Sequence, residues 1–116
     1  AKKGLFKKAM EDYEFTLKAI PGHVQARNNL ALSNLELGRL DVAEDEFKKA
    51  LAFYPDYVDA HYNIGLVYVK KGMPKEALAH FEKALALDPG RDKAARAIRE
   101  IKEFFARQAE KAPATR

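Results

Sequence analysis

Apolar residues recur along this chain at intervals of three and four positions, the spacing that places them on one face of an α-helix. Ala26, Leu30, Ala31 and Leu37 follow this spacing in one stretch, and a later stretch repeats it. We find no stretch that reads as a strand. The pattern predicts an all-α fold of about six helices, at residues 5–19, 24–37, 40–53, 58–71, 74–87 and 92–110.

Residues 24–89 contain one pattern twice. Twelve residues are identical at an offset of 34 positions, without a gap. The pairs are Val24/Val58, Ala26/Ala60, Asn29/Asn63, Leu32/Leu66, Gly38/Gly72, Ala43/Ala77, Phe47/Phe81, Lys49/Lys83, Ala50/Ala84, Leu51/Leu85, Ala52/Ala86 and Pro55/Pro89. A constant period of this length predicts one structural unit per copy, with successive units stacked along the chain.

Each copy contains the signals for two helices joined by a tight turn. Gly38 and Gly72 follow the first helices, where the chain often needs a positive φ that glycine adopts without strain. Pro74 suits the first position of the next helix, whereas Pro55 and Pro89 stop the second helices. Small residues that would let two helix backbones approach closely are Ala31, Ala43, Gly65 and Ala77.

A small residue, an aromatic residue, Gly, Ala, Phe, Ala and Pro, in this order and at this period, resemble the tetratricopeptide repeat (TPR). In the second copy these residues are Gly65, Tyr68, Gly72, Ala77, Phe81, Ala84 and Pro89. The resemblance covers residues 1–91, and its phase continues beyond them. It implies an α-solenoid of antiparallel helix pairs, the TPR superhelix, with the first helices lining a concave groove and the second helices forming the convex back.

The same period divides the chain into parts of one TPR domain, residues 1–110. Gly4, Ala9, Tyr13 and Pro21 fit the second half of a repeat whose first half is missing. The parts are a truncated repeat at 1–23, complete repeats at 24–57 and 58–91, a C-terminal capping helix at 92–110 and a disordered tail at 111–116. With half a repeat and an initiating methionine missing, we expect a fragment of a longer array or a processed form.

Composition narrows the function. The net charge is +4, and the excess of positive charge lies at the two ends of the chain. It indicates either a solvated surface or weak attraction to an acidic partner. No nucleic-acid-binding motif accompanies it, so nucleic acid is an unlikely ligand. No apolar run is long enough to span a membrane, and the lack of cysteine favours a reducing, cytoplasmic location, although an upstream segment could carry a signal or an anchor.

Catalytic chemistry has no motif in this sequence. His23, His61 and His80 share no ligand spacing, and we expect them at surface or boundary positions. Glu44, Asp45 and Glu46 form a run on one solvated helix turn. We therefore expect no enzyme, no cofactor and no metal site, and the function to reside in the surface.

The resemblance implies a peptide-binding groove formed by the first helices. The candidates are Gln25, Asn28, Asn29, Leu32 and Glu36 from the first repeat, Asp59, Tyr62, Asn63, Leu66 and Lys70 from the second, and Lys93, Arg96 and Glu100 from the last helix. Asn29 and Asn63 recur in register, and their amides could hold a peptide backbone or only support helix packing. A subclass of the family binds a C-terminal carboxylate through a clamp of basic residues. Lys93 matches one of the basic positions of this clamp, but Ala97 stands at the position where the clamp has Arg.

These observations predict a non-enzymatic scaffold or adaptor that binds a protein or peptide segment in the concave groove. The alternative is a homotypic assembly module. Leu5, Ala9, Met10 and Tyr13 would present an apolar face that lacks its natural cover, and an uncovered face of this kind favours self-association into a homo-oligomer.

Overall fold

Residues 2–111 form six helices in the predicted order. They are α1 (Lys2–Ala19), α2 (Val24–Glu36), α3 (Leu40–Phe53), α4 (Val58–Lys70), α5 (Pro74–Leu87) and α6 (Asp92–Lys111). The structure, a computed structural model, describes the backbone of residues 2–111 and the side chains of residues 4–111, and this part contains no strand. The predicted disordered tail lies outside the described residues, except that its first residue, Lys111, is the last residue of α6.

Each helix packs against the next one along the chain, and α2 also contacts α4. Three-residue connections separate α2 from α3 and α4 from α5, so the members of each pair are antiparallel. The stack measures 60 × 32 × 23 Å. The molecule is thus an all-α helical repeat, as predicted, with α2, α4 and α6 as the first helices and α1, α3 and α5 as the second helices.

The two helix pairs are held together by a buried phenylalanine in each. Phe47 of α3 and Phe81 of α5 have no exposed surface. A Cβ atom on Gly65 of α4 would lie only 2.5 Å from the Phe81 ring, so α4 and α5 approach more closely than a larger residue at position 65 would permit. Burying one phenylalanine side chain stabilises the fold by roughly 1.5–3 kcal/mol.

The turns within the pairs confirm the role of the two glycines. Gly38 and Gly72 have φ values of +79° and +75°. No other residue in the described part of the chain has a positive φ. The chain then reverses through hydrogen bonds from Gly38 N to Leu35 O and from Arg39 N to Asn34 O. The same two bonds recur 34 residues later in the second repeat.

The interface between the repeats contains a charged cluster on Glu44 of α3. Its carboxylate accepts hydrogen bonds from Lys71 Nζ at 2.6 Å and from the Tyr68 hydroxyl at 2.7 Å. Lys48 Nζ lies 2.9 Å from the same carboxylate. The hydrogen bonds from Lys71, Lys48 and Tyr68 lower the pKa of Glu44 to about 2. Glu44 therefore stays charged at an interface where only 15% of its side chain is exposed.

Candidate functional site

A pocket of about 600 Å³ opens between α4 and α6 on the face formed by the first helices. We call it the α4/α6 pocket. Its lining residues are Tyr62, Leu66, Val69, Gly72, Pro74, Phe81, Lys93, Arg96, Ala97, Glu100, Ile101 and Phe104. A volume of this size lies within the range of protein sites that enclose small ligands.

The two walls of the α4/α6 pocket differ in chemistry. Tyr62, Leu66 and Val69 recur at helical spacing and make the α4 wall apolar. The α6 wall begins with Lys93 and Arg96, and it continues through Glu100 to Phe104. Because α4 and α6 hold equivalent places in the repeat and run parallel, the charged part of α6 faces the start of α4.

The pocket therefore has two ends. The basic end contains Tyr62, Lys93 and Arg96, and the apolar end contains Val69, Pro74 and Phe104. Val69 and Phe104, which line this end, are large apolar side chains that are 48% and 41% exposed. An exposed apolar patch with a polar rim is typical of a binding site.

Lys93 and Arg96 form no ion pair among the side chains of residues 4–111. Arg91, only two residues before Lys93, differs, because its guanidinium lies 2.6 Å from the Asp59 carboxylate. The positive charge of Arg91 is therefore engaged within the fold, whereas the charges of Lys93 and Arg96 are available to a ligand.

The part of the groove between α2 and α4 is closed. Asn63 Nδ2 donates a hydrogen bond to Asn28 Oδ1 at 3.2 Å, and these two residues are only 8% and 5% exposed. Both residues were predicted as groove ligands. Their amides instead join α2 to α4, so the Asn28 oxygen already accepts from one of the two N–H donors of the Asn63 amide.

Sequence models of two repeats match the chain. The model described as "Tetratricopeptide repeat" matches residues 58–91, and the model described as "TPR repeat" matches residues 31–72. The chain belongs to the tetratricopeptide repeat family. No match was found among the curated proteins.

Solved TPR structures resemble the fold over most of its length. The structure titled "First TPR of Spaghetti (RPAP3) bound to HSP90 peptide SRMEEVD" shares 26% identity, covers 90% of this chain and 83% of its own, and gives a TM-score of 0.84. The Arabidopsis OM64 TPR domain shares 27%, with coverages of 88% and 84% and a TM-score of 0.81. The second TPR domain of human RPAP3, in complex with HSP70 peptide SGPTIEEVD, shares 27%, with coverages of 87% and 84% and a TM-score of 0.78.

Five of the thirteen residues predicted for the TPR groove line the α4/α6 pocket: Tyr62, Leu66, Lys93, Arg96 and Glu100. Among the eight that do not line the pocket, Asn28 and Asn63 bond to each other and Asp59 pairs with Arg91, as described above. The remaining five are Gln25, Glu36 and Lys70, which are exposed, and Asn29 and Leu32, which are partly buried.

Several residues of the pocket escaped the sequence analysis. Val69 lies one helical turn after Leu66, and Phe104 lies one turn after Glu100, so helical spacing was a signal that could have found both. The sequence analysis named Phe81 only as a repeated residue, but Phe81 is both part of the core and a lining residue of the pocket, with its ring centroid 5.5 Å from that of Tyr62. No sequence signal distinguished these two roles of Phe81.

The face predicted for self-association is narrower than expected. Leu5 is 73% exposed, but Ala9, Met10 and Tyr13 are partly buried because α2 packs against α1. The exposed aromatic residue of α1 is instead Phe15. The comparisons with solved TPR structures give no support to association between copies of this chain.

The histidines are more engaged than the sequence indicated. His23 caps α2, since the Ala26 N–H donates to its Nδ1. His61 is buried, against expectation. Its Nε2 lies 2.8 Å from the Pro55 carbonyl oxygen. Because a carbonyl oxygen only accepts, Nε2 carries a proton and donates this hydrogen bond. Its Nδ1 faces His80 Nδ1 at 3.4 Å. Burial, together with the nearby His61, lowers the pKa of His80.

Residues 2–111 contain no candidate membrane-spanning helix. None of the described helices is both long enough and apolar enough to cross a bilayer.

Proposed function

We propose that this TPR chain is a non-enzymatic interaction module that holds a peptide segment of a partner protein in the α4/α6 pocket. The observation that carries the proposal is the pocket itself, which combines an apolar wall on α4 with two cations on α6 that have no partner among the described residues. Apolar contacts would supply affinity, and the cations would orient the segment.

The comparisons support a peptide as the ligand. Two of the similar structures are TPR domains that hold peptides, SRMEEVD and SGPTIEEVD. Both peptides combine carboxylates with apolar side chains, which are the two chemistries that the α4/α6 pocket offers in complementary form. Because Asn63 is engaged by Asn28, the proposal places binding in the second half of the groove rather than along its whole length.

The test is a pair of NMR titrations of ¹⁵N-labelled protein, followed by selection from a displayed peptide library. SRMEEVD and SGPTIEEVD are the first probes. We expect amide shifts concentrated in α4 and α6. The double variant Tyr62→Ala with Arg96→Ala should weaken binding about tenfold or more, which is the loss of one strong interface contact.

The matched control is Gln25→Ala with Glu36→Ala, which changes two exposed groove candidates of α2 that lie outside the pocket. Its affinity for the same peptides should stay within about twofold of the parent chain. Equal losses in both variants, or library peptides that bind the Tyr62→Ala/Arg96→Ala protein as well as the parent, would contradict the proposal.

A further inference from the structure

The two ends of the α4/α6 pocket limit what kind of segment fits. Residues 34 positions apart are equivalent in the repeat. Tyr62 of α4 is therefore level with Arg96 of α6, and Lys70, which is next to Val69, is level with Phe104. The rise of 1.5 Å per residue along α6 puts Arg96 and Phe104 roughly 12 Å apart. A carboxylate can thus meet the basic end while an apolar side chain from the same segment meets the apolar end.

Glu100 fixes which end receives the carboxylate. It lies between Arg96 and Phe104 on the α6 wall, one helical turn from each. A ligand carboxylate near the middle of the pocket would meet a like charge, and a carboxylate at the far end would lie among the uncharged lining residues Val69, Pro74 and Phe104. Lys70, next to Val69, does not line the pocket, so the cations of the lining are Lys93 and Arg96 at the basic end.

The distance between the two ends of the pocket matches a short extended segment. An extended chain rises about 3.3 Å per residue and spans 12 Å in about four residues. Side chains four residues apart on an extended chain also point to the same side.

The charges favour an internal segment over a C-terminal residue that itself has an acidic side chain. A terminal residue with an acidic side chain carries two negative charges, whereas Lys93 and Arg96 must also balance Glu100 on the same wall. Ala97, which lies between these residues, contributes a methyl group and no further donor. One side-chain carboxylate is therefore the better match for the basic end.

We propose that the α4/α6 pocket accepts an extended, internal segment of a partner protein that carries one acidic and one large apolar side chain four residues apart. This inference rests on the proposed function and specifies its ligand. The acidic side chain pairs with Lys93 and Arg96, and the apolar side chain packs on Val69 and Phe104.

The test uses nine-residue peptides of Gly and Ser, acetylated and amidated at their ends, each with one Glu and one Phe. The two residues are placed two, four or eight positions apart, in both orders, and binding is measured by NMR titration of the ¹⁵N-labelled chain. We expect a spacing of four to bind at least about threefold more tightly than two or eight, since only that spacing lets an extended peptide reach both ends.

A charge reversal identifies the contact. Arg96→Glu should weaken binding of the best Glu peptide by about threefold or more, and it should tighten binding of the same peptide with Lys in place of Glu. Arg99→Glu is the matched control, since Arg99 is exposed on α6 one turn from Arg96 and does not line the pocket. Equal effects of the two variants would overturn the inference.

The remaining outcomes separate the two proposals. Pocket shifts that are equally strong at every spacing, or strongest at eight, would overturn the extended, four-residue ligand but keep the peptide-binding function. Binding only of peptides with a free terminal carboxylate would do the same. Absence of pocket shifts with these peptides, with SRMEEVD and with SGPTIEEVD would overturn both.

Discussion

Between α2 and α4 the concave face is closed by a bond between two amides, whereas between α4 and α6 it opens into a pocket. The residues at the two places are equivalent in the repeat. Asn28 and Asn63 meet in the first interface, and 34 positions later their counterparts are Tyr62 and Ala97. An amide pair draws its two helices together, but a methyl group opposite an aromatic ring forms no such bond and leaves the space that a ligand can use.

The comparison extends to the interfaces behind the groove. The cluster of Glu44 with Lys71 has Leu78 and Phe105 as its counterparts in the next interface, and both of these pack against the apolar core. At these equivalent positions, therefore, the first interface has charged and hydrogen-bonded groups, and the second has apolar side chains. Small differences in side chains thus give two repeats of one fold different responses to pH and different capacities for a ligand.

The largest effect is expected from Gly65→Ala, which adds a methyl group 2.5 Å from the Phe81 ring. Phe81 is fully buried and also lines the pocket, so we expect a loss of roughly 1–3 kcal/mol of unfolding free energy and weaker peptide binding. Denaturant unfolding measures the first effect and NMR titration the second. The reciprocal variant Ala31→Gly should lose about 1–2 kcal/mol, through helix propensity and the lost burial of one methyl group, and keep the pocket. A more stable Gly65→Ala protein would show that the close approach of α4 and α5 is wrong.

Next in size is Glu44→Gln, which should lower the unfolding free energy by about 2 kcal/mol by weakening hydrogen bonds to a charged partner. The pKa of Glu44 falls from 4.5 to about 2 on folding, so its contribution is complete above pH 4.5 and is lost as the pH falls from 4.5 toward 2. Unfolding measured across this range should show a weaker pH dependence in the variant. Asp45→Asn, an exposed neighbour on α3, serves as the control. An unchanged pH dependence in Glu44→Gln would remove the electrostatic difference between the two interfaces.

Asn28→Ala should have a smaller effect, about 1 kcal/mol, because it removes the acceptor of the Asn63 hydrogen bond. Peptide affinity at the α4/α6 pocket should not change, since the variant alters only the closed half. Asn29→Ala, at a partly buried position next to Asn28 on the same helix, is the stability control. Stronger peptide binding by Asn28→Ala would mean that the closed half takes part in recognition.

The smallest effect concerns His80. Its pKa is lower in the folded chain than in the unfolded chain, so the unfolded state binds more protons and stability falls as the pH drops below 6.5. The groups around it are His61, Lys48 and Glu44, of which only Glu44 favours the protonated ring. His80→Gln should flatten the dependence of the melting temperature on pH between about 7 and 5. If the variant keeps the slope, His61 or another group is responsible for it.

The repeated sequence pattern was sufficient to predict the period, the helices and the turns. Phe47 and Phe81 are equivalent and equally buried, and Gly38 and Gly72 adopt the same φ, because a repeated local pattern imposes the same backbone on each copy. The groove side was also predictable, because the first helices of each pair share a face, and Tyr62, Leu66, Lys93 and Arg96 follow from that rule.

Which part of the groove is open depends on tertiary contacts that the sequence pattern does not show. Asn28 and Asn63 are 35 residues apart, and neither shows in isolation that its partner on the neighbouring helix is another amide. The sequence also does not show that Asp59 forms an ion pair with the Arg91 guanidinium. Nor does it show that Phe81 both belongs to the core and lines the pocket. Periodicity specifies the face on which a side chain lies, but the neighbour that it meets across two packed helices depends on residues far away in the sequence.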